Sequence, residues 1–303
     1  MLSPRENQNL FGHTQAKEHF LNTFHSSRFP HAWVFAGDFG VGKATFAFHM
    51  ARYILSKRDN KDTHFSDDDP LYRRVAAQSQ EDLWVVGEEK SPEIGVEIIR
   101  NLNTILTQTS RGGGWRIIII DGAERLNNNA ANALLKRLEE PPPKTVFFLV
   151  THLPGHLLPT IRSRCQFLFF SPLGDEDVKQ VMASQNLSLP SFSSLMQGSP
   201  GRLIRVIKGE GAHIFSDLQN ILKGENATPF IHTHGGNETS YDLVEDMLRT
   251  FLYTRIMSTI EDQELVPPML TTYETITQLF EQCRFAQLDK KATLSCVLAE
   301  MRK

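Results

Sequence analysis

Apolar residues in the first half of the chain occur in short continuous runs, and helix-length segments with a different spacing separate them. The runs lie at residues 32–36, 83–86, 116–120, 146–150 and 167–170. Continuous apolar runs of this length are typical of strands that are buried on both faces of a parallel sheet. The pattern therefore predicts five buried strands.

Two of the intervening segments have the spacing of helices. Residues 44–55 and 129–140 place apolar side chains three and four positions apart, which predicts one buried face for each helix. Asn127 or Asn128 can cap the second helix, and the prolines at 141–143 end it. Strands that alternate with helices indicate an α/β fold with βαβ units and a doubly wound parallel sheet.

The strand pattern ends at Pro172, and only helical patterns follow. Short helices are predicted at 175–185, 191–196 and 202–208, and longer ones at 240–260, 270–285 and 286–302. The polar segment 224–237, which contains two adjacent glycines, predicts a loop. We therefore expect an α/β module at 1–172, a small helical lid at 173–208 and an all-helical domain at 209–303.

Composition adds a few limits. The chain has 303 residues, of which 40% are hydrophobic and 22% charged, as in a folded globular protein. Its formal net charge is -3, whereas a protein that wraps DNA by itself is usually basic. Cys165, Cys283 and Cys296 form no C-x-x-C pair, which argues against disulfides and cysteine zinc sites and favours a reducing cytoplasm. No apolar run is long enough for a membrane span, and no secretory signal is visible at the start.

Two polar clusters could suggest a metal site. Three adjacent aspartates at 67–69 lie in the polar segment 57–74, and His232 and His234 lie in the loop predicted near the glycine pair. Consecutive side chains cannot all face one ion without a special turn, and the histidines have no cysteine or carboxylate partner. We therefore interpret both clusters as solvated surface.

A glycine-rich segment, GDFGVGKAT at residues 37–45, joins the first predicted strand to the helix at 44–55. Glycines let the backbone turn and present N–H groups to phosphate oxygens, and the helix N-terminus adds partial positive charge. The spacing and the strand–loop–helix context predict a P-loop rather than a plain glycine-rich turn. The candidate nucleotide-binding residues of this loop are Gly37, Gly40, Gly42, Lys43 and Thr45.

Two residues that hydrolysis requires are missing. Ala44 stands where serine or threonine normally binds Mg²⁺, and Thr45 is turned away from that place by about 100°. Asp121 resembles the magnesium-supporting aspartate of a Walker B strand, yet Gly122 stands where an active ATPase has glutamate. Glu124 is interpreted as a surface or capping residue. We expect ATP or ADP to bind weakly and Mg²⁺ to be held poorly.

Several motifs together resemble those of AAA+ clamp-loader subunits. They are NNNAANALLKRLEEPP at 127–142, SRC at 163–165, GSPGR at 198–202, HAW at 31–33 and GH at 12–13. The resemblance covers residues 10 to about 208 and extends to the later helices only by position and helical character. It implies an AAA+ P-loop module, a helical lid and an all-helical collar through which subunits assemble.

Within this family, the departures at Ala44 and Gly122 resemble the delta-prime subunits, which are not motors. The resemblance implies a subunit of the bacterial DNA polymerase III clamp loader that helps place the sliding clamp on primed DNA in replication and has little or no ATPase activity of its own. The implied partners are the gamma/tau motor subunits and the delta subunit in a heteropentameric ring, the sliding clamp and primed DNA. Many delta-prime subunits have a four-cysteine zinc module, but residues 56–84 contain no cysteine, so no zinc is expected.

The resemblance also implies roles for single residues. Arg164 of the SRC segment is implied as an arginine finger that acts in trans on the ATP of a neighbouring motor subunit, and Arg162 ranks second. Thr151 occupies the sensor 1 position at the end of its strand. Arg202 lies in the sensor 2 segment, although motor subunits have arginine where Gly201 stands.

Candidates for contact with the DNA backbone are Arg100, Ser110 and Arg111, which lie near helix ends before the Walker B strand. Ordinary solvated positions are an equally good interpretation of each of them. Other functions are also compatible with a P-loop. An active clamp-loader ATPase or a branch-migration motor would keep the Walker glutamate, a DNA-replication initiator would add a basic helix-turn-helix, and a small-molecule kinase would lack the SRC segment and the collar.

Overall fold

The computed structural model describes most of the chain: residues 2–26, 28–58, 62–87, 91, 93–107, 114–190, 198–208, 211–236, 238–260, 264–286 and 288–302. These residues form two compact units. The first contains the described residues up to Ser188 together with Gly198–Pro200, and the second contains the described remainder. The division into 1–172, 173–208 and 209–303 stays a prediction.

Five parallel strands form the sheet of the first unit in the order β2-β3-β4-β1-β5. They are β1 (Ala32–Gly37), β2 (Leu83–Val86), β3 (Arg116–Asp121), β4 (Thr145–Thr151) and β5 (Gln166–Phe170). All five lie where the apolar runs predict them, so the α/β sheet is confirmed. Because all strands run the same way, their carboxyl ends share one edge of the sheet and their amino ends share the other.

Seven helices accompany the strands in the first unit: α1 (Thr14–Phe24), α2 (Lys43–Ser56), α3 (Pro70–Ala76), α4 (Val96–Thr107), α5 (Asn128–Glu139), α6 (Pro159–Arg162) and α7 (Asp175–Ser184). The predictions of α2, α5 and α7 are confirmed, and the side chain of Asn127 caps α5 by accepting from the Ala130 N–H at 2.8 Å. Helices α1 and α4 were not predicted.

Helix α3 was not predicted either, because it lies in the segment interpreted as a polar loop. Its first residue is Pro70, and Asp69 accepts from the Leu71 N–H at 2.8 Å. Asp68 pairs with Arg73 at 2.5 Å, and both side chains are exposed. The aspartates therefore start and flank a helix. Among the described residues, no group of three His, Cys, Asp or Glu side chains could hold a metal ion.

Both faces of the sheet are covered by apolar side chains. One face carries an aromatic cluster in which Phe20, Phe35 and Phe148 contact one another, with ring centroids 5.0 to 6.3 Å apart. The other face carries aliphatic residues such as Ile118 and Leu134. Complete burial of such side chains contributes about 1.5–3 kcal/mol each. The carboxyl edge is therefore fixed from both sides, and the loops that leave it are held on a rigid frame.

The described part of the second unit is helical. Its helices are α8 (Pro200–Lys208), which begins at the last residue of the first unit, α9 (Gly211–Leu222), α10 (Thr228–Gly235), α11 (Glu238–Ser258), α12 (Val266–Phe285) and α13 (Lys290–Glu300). The predictions of α8, α11, α12 and α13 are confirmed, α9 was not predicted, and residues 191–196 lie outside the described residues. None of the described helices combines the length and apolar character needed to cross a membrane.

The loop predicted at 224–237 is wrong, because α10 occupies most of it. Pro229 lies in the first turn of α10, where a missing N–H costs nothing, and Phe230 is buried. His232 is exposed on this helix, while Nδ1 of His234 lies 2.5 Å from the Ser240 hydroxyl. One buried aromatic residue and tertiary packing thus outweigh the polar, glycine-containing pattern.

Candidate functional site

The glycine-rich segment follows β1 at the carboxyl edge and leads directly into α2. Gly40 and Gly42 have φ angles of 83° and 107°, which L side chains rarely adopt. A Cβ at Gly37 would lie less than 3.0 Å from the carbonyl oxygen of Phe170, so the adjacent strand β5 requires glycine there. The predicted P-loop therefore has the strand–loop–helix geometry that cradles a phosphate.

Lys43 is folded onto its own loop. Its side chain is buried, and Nζ donates to the carbonyl oxygens of Gly37 at 2.7 Å and Asp38 at 2.6 Å. The ammonium group is therefore held inside the cradle by two backbone acceptors. A nucleotide phosphate would have to replace these two carbonyls as the acceptor.

His13 braces the same loop, and no role was predicted for it from the sequence. Its Nε2 lies 2.8 Å from the carbonyl oxygen of Val41, so this nitrogen carries the proton and donates. The ring also meets Phe170 edge-on, with centroids 4.9 Å apart. Burial lowers the pKa of His13 below its ordinary value. A neutral imidazole therefore joins the start of α1 to the P-loop.

The residues present do not make the usual magnesium site of a P-loop. Ala44 offers a methyl group where a hydroxyl normally binds the ion, and Thr45 is the next residue along the first turn of α2. Asp121 ends β3 and could serve as one ligand. The protein therefore supplies one oxygen ligand fewer for Mg²⁺ than a complete P-loop site.

The Arg125 side chain fills the space beside Gly122, the position at which active ATPases have glutamate. Its guanidinium donates to the carbonyl oxygens of Asp121 at 2.6 Å, Ser91 at 2.7 Å and Gly87. Gly122 has a φ of 77°, and a Cβ there would lie less than 3.0 Å from three atoms of this guanidinium. A side chain at the position that carries the catalytic glutamate in active ATPases would thus have to move the Arg125 guanidinium and adopt a strained backbone angle. The sequence showed the glycine but gave no sign of Arg125.

The side chain of Glu124 is buried, so its interpretation as a surface residue is wrong, and the capping alternative stays a prediction. Its side chain is 7% exposed, and Oε1 lies 2.7 Å from Nδ1 of His152, which is itself partly exposed. Burial would raise the pKa of Glu124, but the hydrogen bond and charge of His152 outweigh it and lower that pKa to about 2. The His152 ring also lies 6.0 Å from the Phe39 ring of the P-loop. This pair joins the carboxyl ends of β3 and β4 beside the P-loop.

Thr151 is the last residue of β4, and its side chain is buried next to this pair. Its hydroxyl oxygen accepts from the Leu153 N–H at 3.1 Å. It therefore lies at the carboxyl edge, as the sensor 1 prediction requires, since Ala36 of β1 is its register partner. A contact with nucleotide stays a prediction.

Arg164 lies at the opposite edge of the sheet from the P-loop. It precedes β5, whose register pairs Trp33 with Gln166 and Gly37 with Phe170. At about 3.3 Å per residue, the strand separates these two levels by about 13 Å. Arg164 is therefore placed away from the P-loop of its own chain. Its partly exposed side chain contacts Glu139, with Nη2 2.7 Å from Oε1.

A family model described as "DNA polymerase III, delta subunit" matches residues 12–174, which is just over half of the chain. The chain belongs to this family. Delta-prime subunits of DNA polymerase III are among its curated relatives, together with small subunits of replication factor C. One delta-prime subunit from Pseudomonas aeruginosa is 39% identical over 136 residues, which is 45% of this chain and 41% of that protein. One from Escherichia coli is 30% identical over 201 residues, which is 64% of this chain and 59% of that protein.

The matched part of this chain thus spans about half the length of these curated relatives. A solved structure from Thermotoga maritima, described as a DNA polymerase III gamma subunit-related protein, covers 95% of this chain and is itself covered to 98%. Its TM-score is 0.52 at 17% identity, a likeness that shows the fold alone. The α/β sheet with its flanking helices and the helical C-terminal region therefore share the fold of that gamma subunit-related protein.

The remaining predicted residues lie elsewhere. Arg202 belongs to the second unit, where its Nε lies 3.4 Å from Oδ1 of Asp246 on α11. Arg100 is exposed on α4 and pairs with Glu97 at 2.6 Å. Ser110 and Arg111 lie outside the described residues. The nucleotide role of Arg202 and the DNA role of the other three stay predictions.

Proposed function

We propose that this delta-prime chain is a non-motor clamp-loader subunit that supplies Arg164 as an arginine finger to the ATP of a neighbouring motor subunit. The observation that carries the proposal is the placement of Arg164 at the amino edge of the sheet, while the P-loop of the same chain is at the carboxyl edge. An exposed arginine in that place is suited to a nucleotide outside its own chain. Arg162, the last residue of α6, is the second candidate.

Guanidinium chemistry suits this role. The charge is permanent, and the planar fork donates to two phosphate oxygens at once. In the neighbouring site the finger would stabilise the charge that develops on the transferred γ-phosphoryl group. Arginine fingers contribute about 10³–10⁵-fold in rate, or roughly 4–7 kcal/mol of barrier. The subunit would thus act on the reaction of its neighbour.

The chain's own nucleotide site would bind without turning over. Backbone N–H groups of the loop around Gly40 and Gly42, together with Lys43, would hold the phosphates of ATP or ADP. Binding would be weak because Lys43 must exchange two carbonyl acceptors for phosphate and because Ala44 gives magnesium no ligand. No glutamate stands after Asp121 to activate water, and the Arg125 guanidinium occupies the space beside Gly122.

The outer strand of the sheet that follows Arg164, β5, supports an interface with another subunit. Strand β5 pairs only with β1 among the described strands, so one side of it is unpaired. Phe169 on this strand is 68% exposed and stacks on Phe167 with centroids 5.6 Å apart. Exposed aromatic residues on an edge strand mark a docking surface. A neighbour that extended along β5 from Phe169 to the amino end of the strand would meet Arg164.

The family resemblance supplies the rest of the proposal. The chain would join gamma/tau motor subunits and a delta subunit in a heteropentameric ring, with residues 209–303 as the collar and residues 173–208 as the lid. In the cytoplasm, this ring would place the sliding clamp on primed DNA. Arg100 would contact the DNA backbone weakly, together with Ser110 and Arg111 outside the described residues. Such contacts predict a smaller salt dependence of DNA binding in a loader with Arg100→Ala and Arg111→Ala.

The test of the finger is an assembled loader that contains Arg164→Ala. We expect DNA-stimulated ATP turnover and clamp loading to fall at least tenfold while the ring still assembles. Arg164→Lys keeps the charge but not the fork and is expected to recover only part of the rate. Arg162→Ala tests the second candidate, since turnover that falls in this variant and not in Arg164→Ala would assign the finger to Arg162. Normal turnover with Arg164→Ala would show that this arginine is only a surface residue.

A further inference from the structure

Arg164 is bound by its own module through both terminal nitrogens. Nη2 lies 2.7 Å from Oε1 of Glu139, and Nη1 donates to the carbonyl oxygen of Thr160 at 3.0 Å and contacts the Ser163 hydroxyl at 3.3 Å. These are the same N–H groups that a finger donates to phosphate oxygens. In this arrangement the guanidinium is turned toward its own chain, and a carboxylate holds it there.

We infer that Glu139 is an intramolecular competitor for the arginine finger, which keeps Arg164 against its own module until a neighbour's γ-phosphate displaces the carboxylate. The inference rests on the proposed role of Arg164. A carboxylate carries one negative charge and two acceptor oxygens, whereas a terminal phosphate carries more of both. ATP in the neighbouring site would therefore win the guanidinium, and ADP, which lacks the γ-phosphate, would leave it with Glu139.

The position of Glu139 in its helix strengthens the argument. It is the last residue of α5, where a negative charge interacts unfavourably with the helix dipole. Glu140 follows as the C-cap, so two carboxylates stand together at that helix end. Local helix stability therefore does not account for a glutamate at 139. The contact with Arg164 gives that charge a role.

The strength of the contact fits a device that can be displaced. The side chains of Arg164 and Glu139 are 35% and 49% exposed, so solvent screens the pair. Exposed ion pairs of this kind shift an equilibrium by about two- to fivefold. That is enough to bias the finger toward its own module and too little to prevent its use. Glu139 acts through Arg164 and is a positioning residue, not a catalytic one.

The experiment measures DNA-stimulated ATP hydrolysis by an assembled loader that contains Glu139→Gln. We expect kcat/KM for ATP to rise about two- to fivefold, because the finger no longer has to leave a carboxylate. Glu140→Gln is the matched control, since it removes the neighbouring exposed charge at the same helix end and should leave kcat/KM unchanged. Ring assembly is checked for both variants.

A double-mutant cycle separates the possible outcomes. In the Arg164→Ala background, Glu139→Gln should change nothing, because its effect passes through the arginine. The same rise in that background, or equal effects of Glu139→Gln and Glu140→Gln, would overturn the inference while leaving the finger intact. If Arg164→Ala itself left turnover normal, the proposed function would fail and the inference with it.

Discussion

The guanidinium of Arg125 occupies the space beside Gly122, held there by the backbone carbonyls of Asp121, Gly87 and Ser91. The loss of the catalytic glutamate is therefore built into the tertiary structure and is more than a single substitution. A side chain at Gly122 must displace Arg125 from three acceptors and also adopt a φ of 77°.

The first prediction concerns restoration of the motor residues. The purified chain should hydrolyse ATP negligibly, and Ala44→Thr with Gly122→Glu should not recover turnover. The sequence alone suggests the opposite, since the two changes complete both motifs. We expect Gly122→Glu to lower the free energy of unfolding by about 1–3 kcal/mol, measured by urea denaturation. Ala44→Thr by itself is the control and should be nearly neutral. Turnover at a typical motor rate, in either protein, would contradict this account.

The second prediction concerns nucleotide binding. Lys43→Ala should weaken ATP binding by about 10- to 100-fold, because charge-assisted hydrogen bonds contribute roughly 1.5–3 kcal/mol. Chelation of Mg²⁺ should change the affinity of the wild-type chain little, since Ala44 provides no ligand. Isothermal titration calorimetry measures both effects. Lys57→Ala, at the exposed C-cap of the same helix, is the matched control. A strong loss of affinity on chelation would mean that the ion is held by other residues.

The third prediction concerns acid stability. The side chain of His49 is buried, with 1% of the residue exposed. Burial and the charge of Arg52 lower the pKa of His49 to about 3. Because the folded pKa lies below the ordinary value of 6.5, the unfolded chain binds the proton first as the pH falls. Stability should therefore decrease from about pH 6.5 downward, by at most roughly 1.4 kcal/mol per pH unit.

Glu124 affects stability at lower pH, because its pKa is lowered from 4.5 to about 2. Its contribution to the free energy of unfolding is lost only as the pH falls below the ordinary carboxylate range. Urea denaturation between pH 5 and 7 therefore excludes Glu124. Because burial also lowers the pKa of His13, the contribution of His49 is the difference between the wild-type chain and His49→Gln. In His49→Gln the slope of the unfolding free energy with pH should flatten, whereas exposed His64→Gln should keep it. Equal slopes in the two variants would rule out His49 as the source.

The fourth prediction concerns the N-terminal segment. Arg52 is completely buried and donates to the carbonyl oxygens of Arg5 at 2.8 Å and Asn7 at 2.6 Å. Its guanidinium also lies 5.8 Å from the Phe65 ring and 5.4 Å from the Tyr72 ring. Arg52→Ala leaves two buried acceptors and an unfilled volume, so we expect a loss of about 2–4 kcal/mol in unfolding free energy.

The matched control for this variant is Arg73→Ala. The side chain of Arg73 is 62% exposed and its partner Asp68 is 93% exposed, so the pair is solvated. Its removal should cost about 0–1 kcal/mol in the same urea measurement. Similar losses for both arginines would show that the buried contacts of Arg52 contribute little.

Local patterns predicted much of the frame. The five strands, α2, α5 and the later helices α11 to α13 follow from runs and spacings that lie within one segment, and so do the P-loop glycines. Helix α10 was mistaken for a loop and α3 for polar surface, because both are short and gain their stability from packing rather than from a long apolar period. The SRC motif indicated a role for Arg164, but it did not indicate how far Arg164 lies from the P-loop.

The sequence by itself determined which chemical groups are present and which are missing: a phosphate cradle with Lys43, no hydroxyl at Ala44 and no glutamate at Gly122. Only the tertiary structure decided what surrounds them. Glu124 meets His152 because β3 and β4 are neighbours in the sheet, and Glu139 meets Arg164 because α5 and the turn after α6 come together. Each partner lies 25 or more positions away along the chain, so no periodicity or local propensity encodes the contact, and strand order and packing do.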